Sequence, residues 1–448
     1  MAREPEDGGN RSANWHWISL IGLAFVAGAL LGANDLEPAR FLSRGLDSTR
    51  QLVNEVTQTK PAKLYPIRHT GNGVTVHDSA RAQPGLTLVQ GVLPGGPQVR
   101  VVDMAGHEIH RWKVDLFEIW PDPEHIVPAD NIAKSRFNYH TQGFVALGDG
   151  SLVVNISEHG TARLDRCGKV LWTVDRMTHH SVTRTRDGGY WIHAHRPITE
   201  VDAALLPAGT DREWIATELA GGWKNFENTI LKVSSAGRVE KEFSVLRAIV
   251  DARLEDALYD GFAADILDPT HINDIEVVTP ALAQRINGVA AGDLLVSVRN
   301  MHMLVILDSE TGAVNWHQRG PWVRQHDPDI MPDGRIEVYN NRAIGSGRFV
   351  DESRILRFDP ATGESRVLHP LGKEDKFASG IMGTHQRLIN GNILITESVA
   401  GRVFEATPDG EVVWEYVLAY DAEDAALIEE AARVPEGYFD VKTWSCDP

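Results

Sequence analysis

LDSETGAVNW, residues 307–316, reads as the end of an apolar strand, a tight turn at Gly312 and a second strand closed by Trp316. The same plan recurs along the chain. VVDMAGHEIHRW ends at Trp112, LDRCGKVLW at Trp172, VSSAGRVEKEF at Phe243 and ATPDGEVVW at Trp414, while FDPATGESRVL (358–368) lacks the aromatic. The turn glycines fall at 106, 168, 237, 312, 363 and 410, which gives six units of roughly 45–75 residues. A repeating strand-rich unit that cannot bury both faces alone is solved by stacking copies around an axis. Two units could make a sandwich, but six copies favour a ring. The expected fold is all-β, a six-bladed β-propeller.

Five short stretches place histidine at one position in that unit: FNYHTQGF (His140), THHSVTRT (His179, His180), DPTHINDI (His271), VRQHDPDI (His326) and MGTHQRLI (His385). Each opens an apolar run that soon meets a turn signal, namely GDG at 148–150, RDGG at 186–189, AGD at 291–293, PDG at 332–334 and NGN at 390–392. One histidine on an apolar strand is ordinarily a hydrogen-bonded core residue. Equivalent positions in several blades converge on one axis, and that asks for chemistry.

Composition narrows the rest. With 448 residues, 42% of them hydrophobic, the chain can fill a large closed all-β core. A net charge of −18 argues against a nucleic-acid partner, whose phosphates need a basic surface. It leaves room for a small anion in a locally cationic pocket. Cys167 and Cys446 show neither metal spacing nor a disulfide framework, so free thiols are expected, one bridge being the alternative.

After a polar leader (1–14), WHWISLIGLAFVAGALLGA spans Trp15 to Ala33. Nineteen such residues just cross a hydrocarbon core of about 30 Å, and the tryptophans suit its interface. Leu31-Gly32-Ala33 is a poor cleavage site, so an uncleaved transmembrane anchor is expected rather than a removed signal. Residues 34–66 read as a polar stalk, 67–420 as the propeller, and 421–448 as an acidic helix, capped by Asp421 or Asp424 and stopped at Pro435, with a tail. That order puts the propeller in the periplasm, tethered to the inner membrane. Stretches 116–136, 199–228 and 245–263 interrupt the blades and are candidate lids, the last with helical spacing.

The segments GVTVHDSARAQPGLTLVQG, VVDMAGHEIHRW, HHSVTRTRDGGYW, DPTHINDIEVV, LLVSVRNMHMLVILD and QHDPDIMPDGRIEVYNNR, taken in order, resemble the bacterial arylsulfate sulfotransferases over roughly residues 70–440. The resemblance implies a six-bladed propeller that moves a sulfuryl group from a phenolic sulfate ester to a phenol acceptor. It implies a sulfohistidine intermediate and neither nucleotide donor nor cofactor. Matched segment by segment, His326 falls at the nucleophile, His271 and Arg299 at its partners, and His180 at a fourth position, for which adjacent His179 is the alternative. Members that dimerise through a strand-rich N-terminal domain find no counterpart before residue 70, so the oligomeric state stays open.

The residue types suit that chemistry independently. Sulfuryl transfer, like phosphoryl transfer, runs through a loose transition state. It needs an in-line nucleophile, cations on the equatorial oxygens and a proton for the departing phenolate. Neutral imidazole attacks well near pH 7 and leaves readily. Arg299 stays charged and offers a planar fork to oxyanions. A second imidazole, His271 or His180, can serve as acid and then base. Around these, Asn273 and Asn340 read as orienters or turn residues, Arg342 as a weaker anion contact, and His140 and His385 as structural or channel-lining residues. The His motifs share no acid apart from Asp327 and Asp329, and Arg299 would repel a divalent ion, so no metal site is assigned. LDSETGAVNW also resembles the blade signature of quinoprotein dehydrogenases, but six units and no evident Ca²⁺ carboxylate set argue against that class. A non-catalytic, membrane-tethered propeller binding a partner protein fits fold and anchor equally and is separated by activity.

Overall fold

The computed structural model describes residues 60, 61, 63–216, 225–344, 349–372 and 376–446. In it six antiparallel sheets of four or five strands follow one another along the chain, one per expected unit. Blades 2 to 6 start on the inner strands Thr141–Ala146, Thr178–Arg184, Ile272–Val277, His326–Ile330 and His385–Arg387. Each then runs outward through three further strands, and blade 1 takes its three outer strands from Leu86–Leu93, Gly96–Val102 and Glu108–Lys113.

The apolar patterning explains the layering. Middle strands such as Leu294–Val298 (LLVSV) and Met303–Leu307 (MLVIL) are buried at every residue, because neighbouring blades cover both faces. The outermost strand Val314–Arg319 alternates instead, one side packed and one wet. All six turn glycines have φ between 76° and 93°, a left-handed conformation that strains any side chain. The closing aromatic has a use as well. A Cβ on Gly237 would come within 2.7 Å of the Trp172 ring, and one on Gly312 within 2.8 Å of the Phe243 ring. Trp172 and Phe243 therefore seat on the turn of the following blade. Trp414 of blade 6 likewise donates its indole N–H to Met104 O in the turn of blade 1, at 3.0 Å.

Two strands that flank the blade series in sequence close the ring. Gly73–His77 adds a fifth, outermost strand to blade 6 by pairing with Val412–Val417. Leu427–Val434 pairs with Leu86–Leu93 and is the inner strand of blade 1. The acidic helix expected from residue 421 is thus corrected to a strand, and the propeller extends beyond residue 420 to Val434. In LIEEAARV the Ala and Glu content favours a helix locally, but ladder bonds and burial of Leu427, Ile428 and Ala431 outweigh that preference. Cys167 and Cys446 are joined in a disulfide with Cα atoms 5.5 Å apart, which corrects the expectation of free thiols and ties the tail to blade 2.

The helical spacing of 245–263 appears as two helices, Val245–Asp251 and Glu255–Ala264. The second packs so closely on the strand lead-in that a Cβ on Gly261 would sit 2.1 Å from Pro269 O. The apolar stretch Trp15–Ala33 and the stalk up to residue 59 lie outside the described residues. Among the described residues no helix is long and apolar enough to cross a membrane.

Candidate active site

The inner strands share an irregularity that aims their first side chains. Ladder register shifts between Gln142 and Phe144, His179 and Val182, Ile272 and Asp274, His326 and Pro328, and Ile428 and Glu430. These are β-bulges at matching positions in five blades. In three of the five the bulged residue carries positive φ, namely Gly143 at 61°, His180 at 53° and Asp327 at 50°, and His271 has 43° just before its strand. A non-glycine residue held so costs of order 1–3 kcal/mol, and such strain gathers where a side chain must be re-aimed.

The bulges bring three of the expected residues together. The His180 ring lies 5.1 Å from that of His271 and 6.4 Å from that of His326. His179 turns away from the axis, stacking on His195 at 3.8 Å while its Nδ1 meets His180 Nδ1 at 2.6 Å. His180, and not His179, lines a cavity of about 400 Å³ with His326 and Asn273. Arg299 follows the neighbouring strand Leu294–Val298, and its backbone N–H donates to His271 O at 3.1 Å. Its side chain is buried, Nη1 donates to Asn300 Oδ1 at 3.1 Å, and Nε has no acceptor among the described residues.

Partners that the sequence reading passed over fix the protons. Asn341 donates its amide to Ser379 O at 2.8 Å and Met382 O at 2.6 Å, which turns Oδ1 towards His326 Nδ1 at 2.7 Å. Nδ1 must then carry the hydrogen, and Nε2 keeps a lone pair. Burial and, after it, the Arg299 guanidinium hold the His326 pKa well below the usual imidazole range, so the ring is neutral. Asp268 Oδ2 lies 2.5 Å from His271 Nδ1, and its Oδ1 accepts the His271 backbone N–H at 3.0 Å. Burial alone would raise the Asp268 carboxyl, but His271 overrides it and holds the pKa low. His180 is kept neutral by burial and by the adjacent His271. Arg324, whose Nη1 reaches the same Asn300 Oδ1 at 3.3 Å, is a second guanidinium here. Burial and Arg324 together push the Arg299 pKa down to about 10.

Other expected residues are engaged elsewhere. His140 lies between Lys63 Nζ at 2.8 Å and Glu429 Oε1 at 2.7 Å. Arg342 is committed to Glu352 at 3.3 Å. His385 faces Asp327 at 2.7 Å; burial opposes its charge, yet Asp327 and Asp329 push its pKa up to about 9. Asn273 lines the cavity and donates to Gln325 O at 2.8 Å, whereas Asn340 accepts Val323 N–H at 2.9 Å outside the cluster. The signal for Asp268 was in DPTHINDI itself, three residues before the histidine. Nothing in the sequence alone separates Asn341 from Asn340.

Comparison with solved structures returns weak likenesses. A protein of unknown function from Bacteroides caccae matches at 12% identity and TM-score 0.47, covering 77% of this chain and 97% of its own. Virginiamycin B lyase from Staphylococcus aureus matches at 11% identity and TM-score 0.34, covering 64% of this chain and 71% of its own. Both scores fall below 0.5, so the blade count rests on this chain's own strands. Comparison with curated proteins returns no match. The family model described as arylsulfotransferase (ASST) matches residues 143–419, which hold every bulged histidine and Arg299. This chain belongs to the arylsulfotransferase family.

Proposed function

We propose that the protein transfers a sulfuryl group from a phenolic sulfate ester to a phenol through a sulfohistidine on His326, without a nucleotide donor. The observation that carries this reading is the amide lock on His326. Asn341 leaves Nε2 with a lone pair on a neutral ring, beside the buried Arg299 guanidinium, whose Nε has no acceptor among the described residues. In the first half-reaction Nε2 attacks sulfur, the N–S bond forms and the aryl O–S bond breaks. The departing phenolate takes a proton from His271, whose other nitrogen is held by Asp268. Arg299 and Arg324 stabilise charge on the sulfuryl oxygens. In the second half-reaction the acceptor phenol gives its proton to His271 and its oxygen attacks sulfur. The N–S bond breaks and the lone pair returns to His326. His180 is a less suitable acid than His271, because burial and the neighbouring histidines keep it neutral and, among the described residues, no carboxylate is hydrogen-bonded to it.

Intact-mass measurement after incubation with a chromogenic aryl sulfate alone is expected to show one added sulfuryl group, absent in His326→Ala. An adduct of unchanged yield in that variant refutes the assignment. Location is part of the same proposal. An anchor at Trp15–Ala33 and an exported propeller fit the Cys167–Cys446 bridge, since such bonds persist in oxidising compartments. Fractionation and protease access in spheroplasts test it; a propeller shielded from added protease reverses the topology.

A further inference from the structure

Below the histidines the cavity changes character. Asp274, Glu276, Asp327, Asp329 and Glu430 line it, against the one guanidinium of Arg184 among its described lining residues. At one side Asp327 and Asp329, on the inner strand of blade 5, meet His385, which opens the inner strand of blade 6. One donor atom from each lies within 4.8 Å of the others.

The histidine is the informative member. Its side chain is fully buried, and Asp327 Oδ2 accepts both its backbone N–H at 2.5 Å and its Nδ1–H at 2.7 Å. That leaves Nε2 turned towards Asp329 Oδ2 at 3.7 Å and Glu337 Oε2 at 3.8 Å, with no hydrogen-bond partner among the described residues. These spacings are too long for hydrogen bonds. They match two ligands on one ion: bonds of about 2.2 Å in a tetrahedral site separate ligand atoms by about 3.6 Å. A carboxylate on one imidazole nitrogen with the other facing an ion is the usual way a metal-binding histidine is oriented. Glu337 is itself steadied through Oε1 by Arg387 at 2.8 Å and by Arg357. Asp327 and Asp329 also face the cavity, so an ion has a route in, and the acidic wall concentrates cations along it.

We propose that His385 Nε2 and Asp329, with Asp327 and Glu337 flanking them, bind a divalent transition-metal cation of the Zn²⁺ or Mn²⁺ kind. One imidazole among carboxylates is the donor set those ions share. Because its ligands come from two blades, the ion joins the inner strands of blades 5 and 6 and is independent of the sulfuryl-transfer reading.

The experiment uses the full chain, stripped with EDTA and titrated separately with Zn²⁺ and Mn²⁺. Metal content after gel filtration and the thermal midpoint are both followed. One of the two ions is expected to bind at one per chain and raise the midpoint. Asp329→Asn should abolish both effects, and Asp327→Asn should weaken binding about 10–100-fold. Asp274→Asn, which removes an acid of the same cavity outside the site, should leave the stoichiometry unchanged. The proposal is overturned if neither ion is retained, which leaves an ion pair or a bound water at His385. It is equally overturned if Asp329→Asn and Asp274→Asn lose metal alike, which reduces the effect to a diffuse acidic cavity.

Discussion

At the residue scale the candidate site is an arrangement of fixed protons. Asn341 dictates which nitrogen of His326 is bare, and Asp268 holds His271 by its Nδ1 so that the other nitrogen handles the travelling proton. Asp268→Asn retains the shape but removes the charge that supports a protonated His271. Turnover should fall about 10²–10⁴-fold while thermal stability changes little. Normal turnover in this variant excludes His271 as the proton carrier. The histidines and Arg299 were legible in the sequence because a repeating unit marks its odd residues. Their partners were not. Asn340 and Asn341 are adjacent, and only the pairing of Ile336–Asn340 between two strands decides which amide faces the axis.

At the scale of the element, the decisive device is the bulge near the start of the inner strand in five of the six blades. Period-two reading of a strand assumes an unbroken ladder, so a shifted register is invisible to it. This is why sequence could not choose between His179 and His180. Gly143 shows how tightly the bulges of neighbouring blades fit: a Cβ there would lie 2.3 Å from His180 O. Gly143→Ala should therefore displace His180 and lower turnover by more than its cost in stability, about 1–3 kcal/mol, would explain. Comparing turnover per folded molecule with the thermal midpoint checks this. The strand Leu427–Val434 makes a parallel case at the ring's seam. It was misread as a helix because its Ala and Glu residues carry no strand signal of their own. Gly91, opposite it, leaves no room for a side chain, since a Cβ would meet Leu427 O at 2.0 Å. Gly91→Ala should cost about 1–3 kcal/mol in denaturant unfolding and leave the pH–rate profile unmoved.

At the scale of the whole molecule, six blades were readable because turn glycines and closing aromatics repeat, and the means of closure was not, because its two strands lie at opposite ends of the blade series. The acids enclosed by the ring tie its stability to pH. Burial, and next the Asp327 carboxylate, push the Glu430 pKa up to about 8 from an ordinary 4.5. The folded state then binds that proton more tightly than the unfolded chain. Glu430 costs nothing below about pH 4.5, and its penalty grows as pH rises to about 8. Glu430→Gln should reduce the stability lost over that window in denaturant titrations; an unchanged slope rejects the shift. Asp274 and Glu276 are raised in the same direction, so some slope should persist. Closure by the final strand also sets an order of events during synthesis. Leu86–Leu93 is made early yet has no inner neighbour until Leu427–Val434 has left the ribosome. Until then the nascent chain carries an open β-edge, a template for pairing with another chain. A chain cut short before Leu427–Val434 leaves the inner edge of Leu86–Leu93 unpaired and should aggregate where the longer chain does not, so completeness of synthesis becomes a condition of solubility.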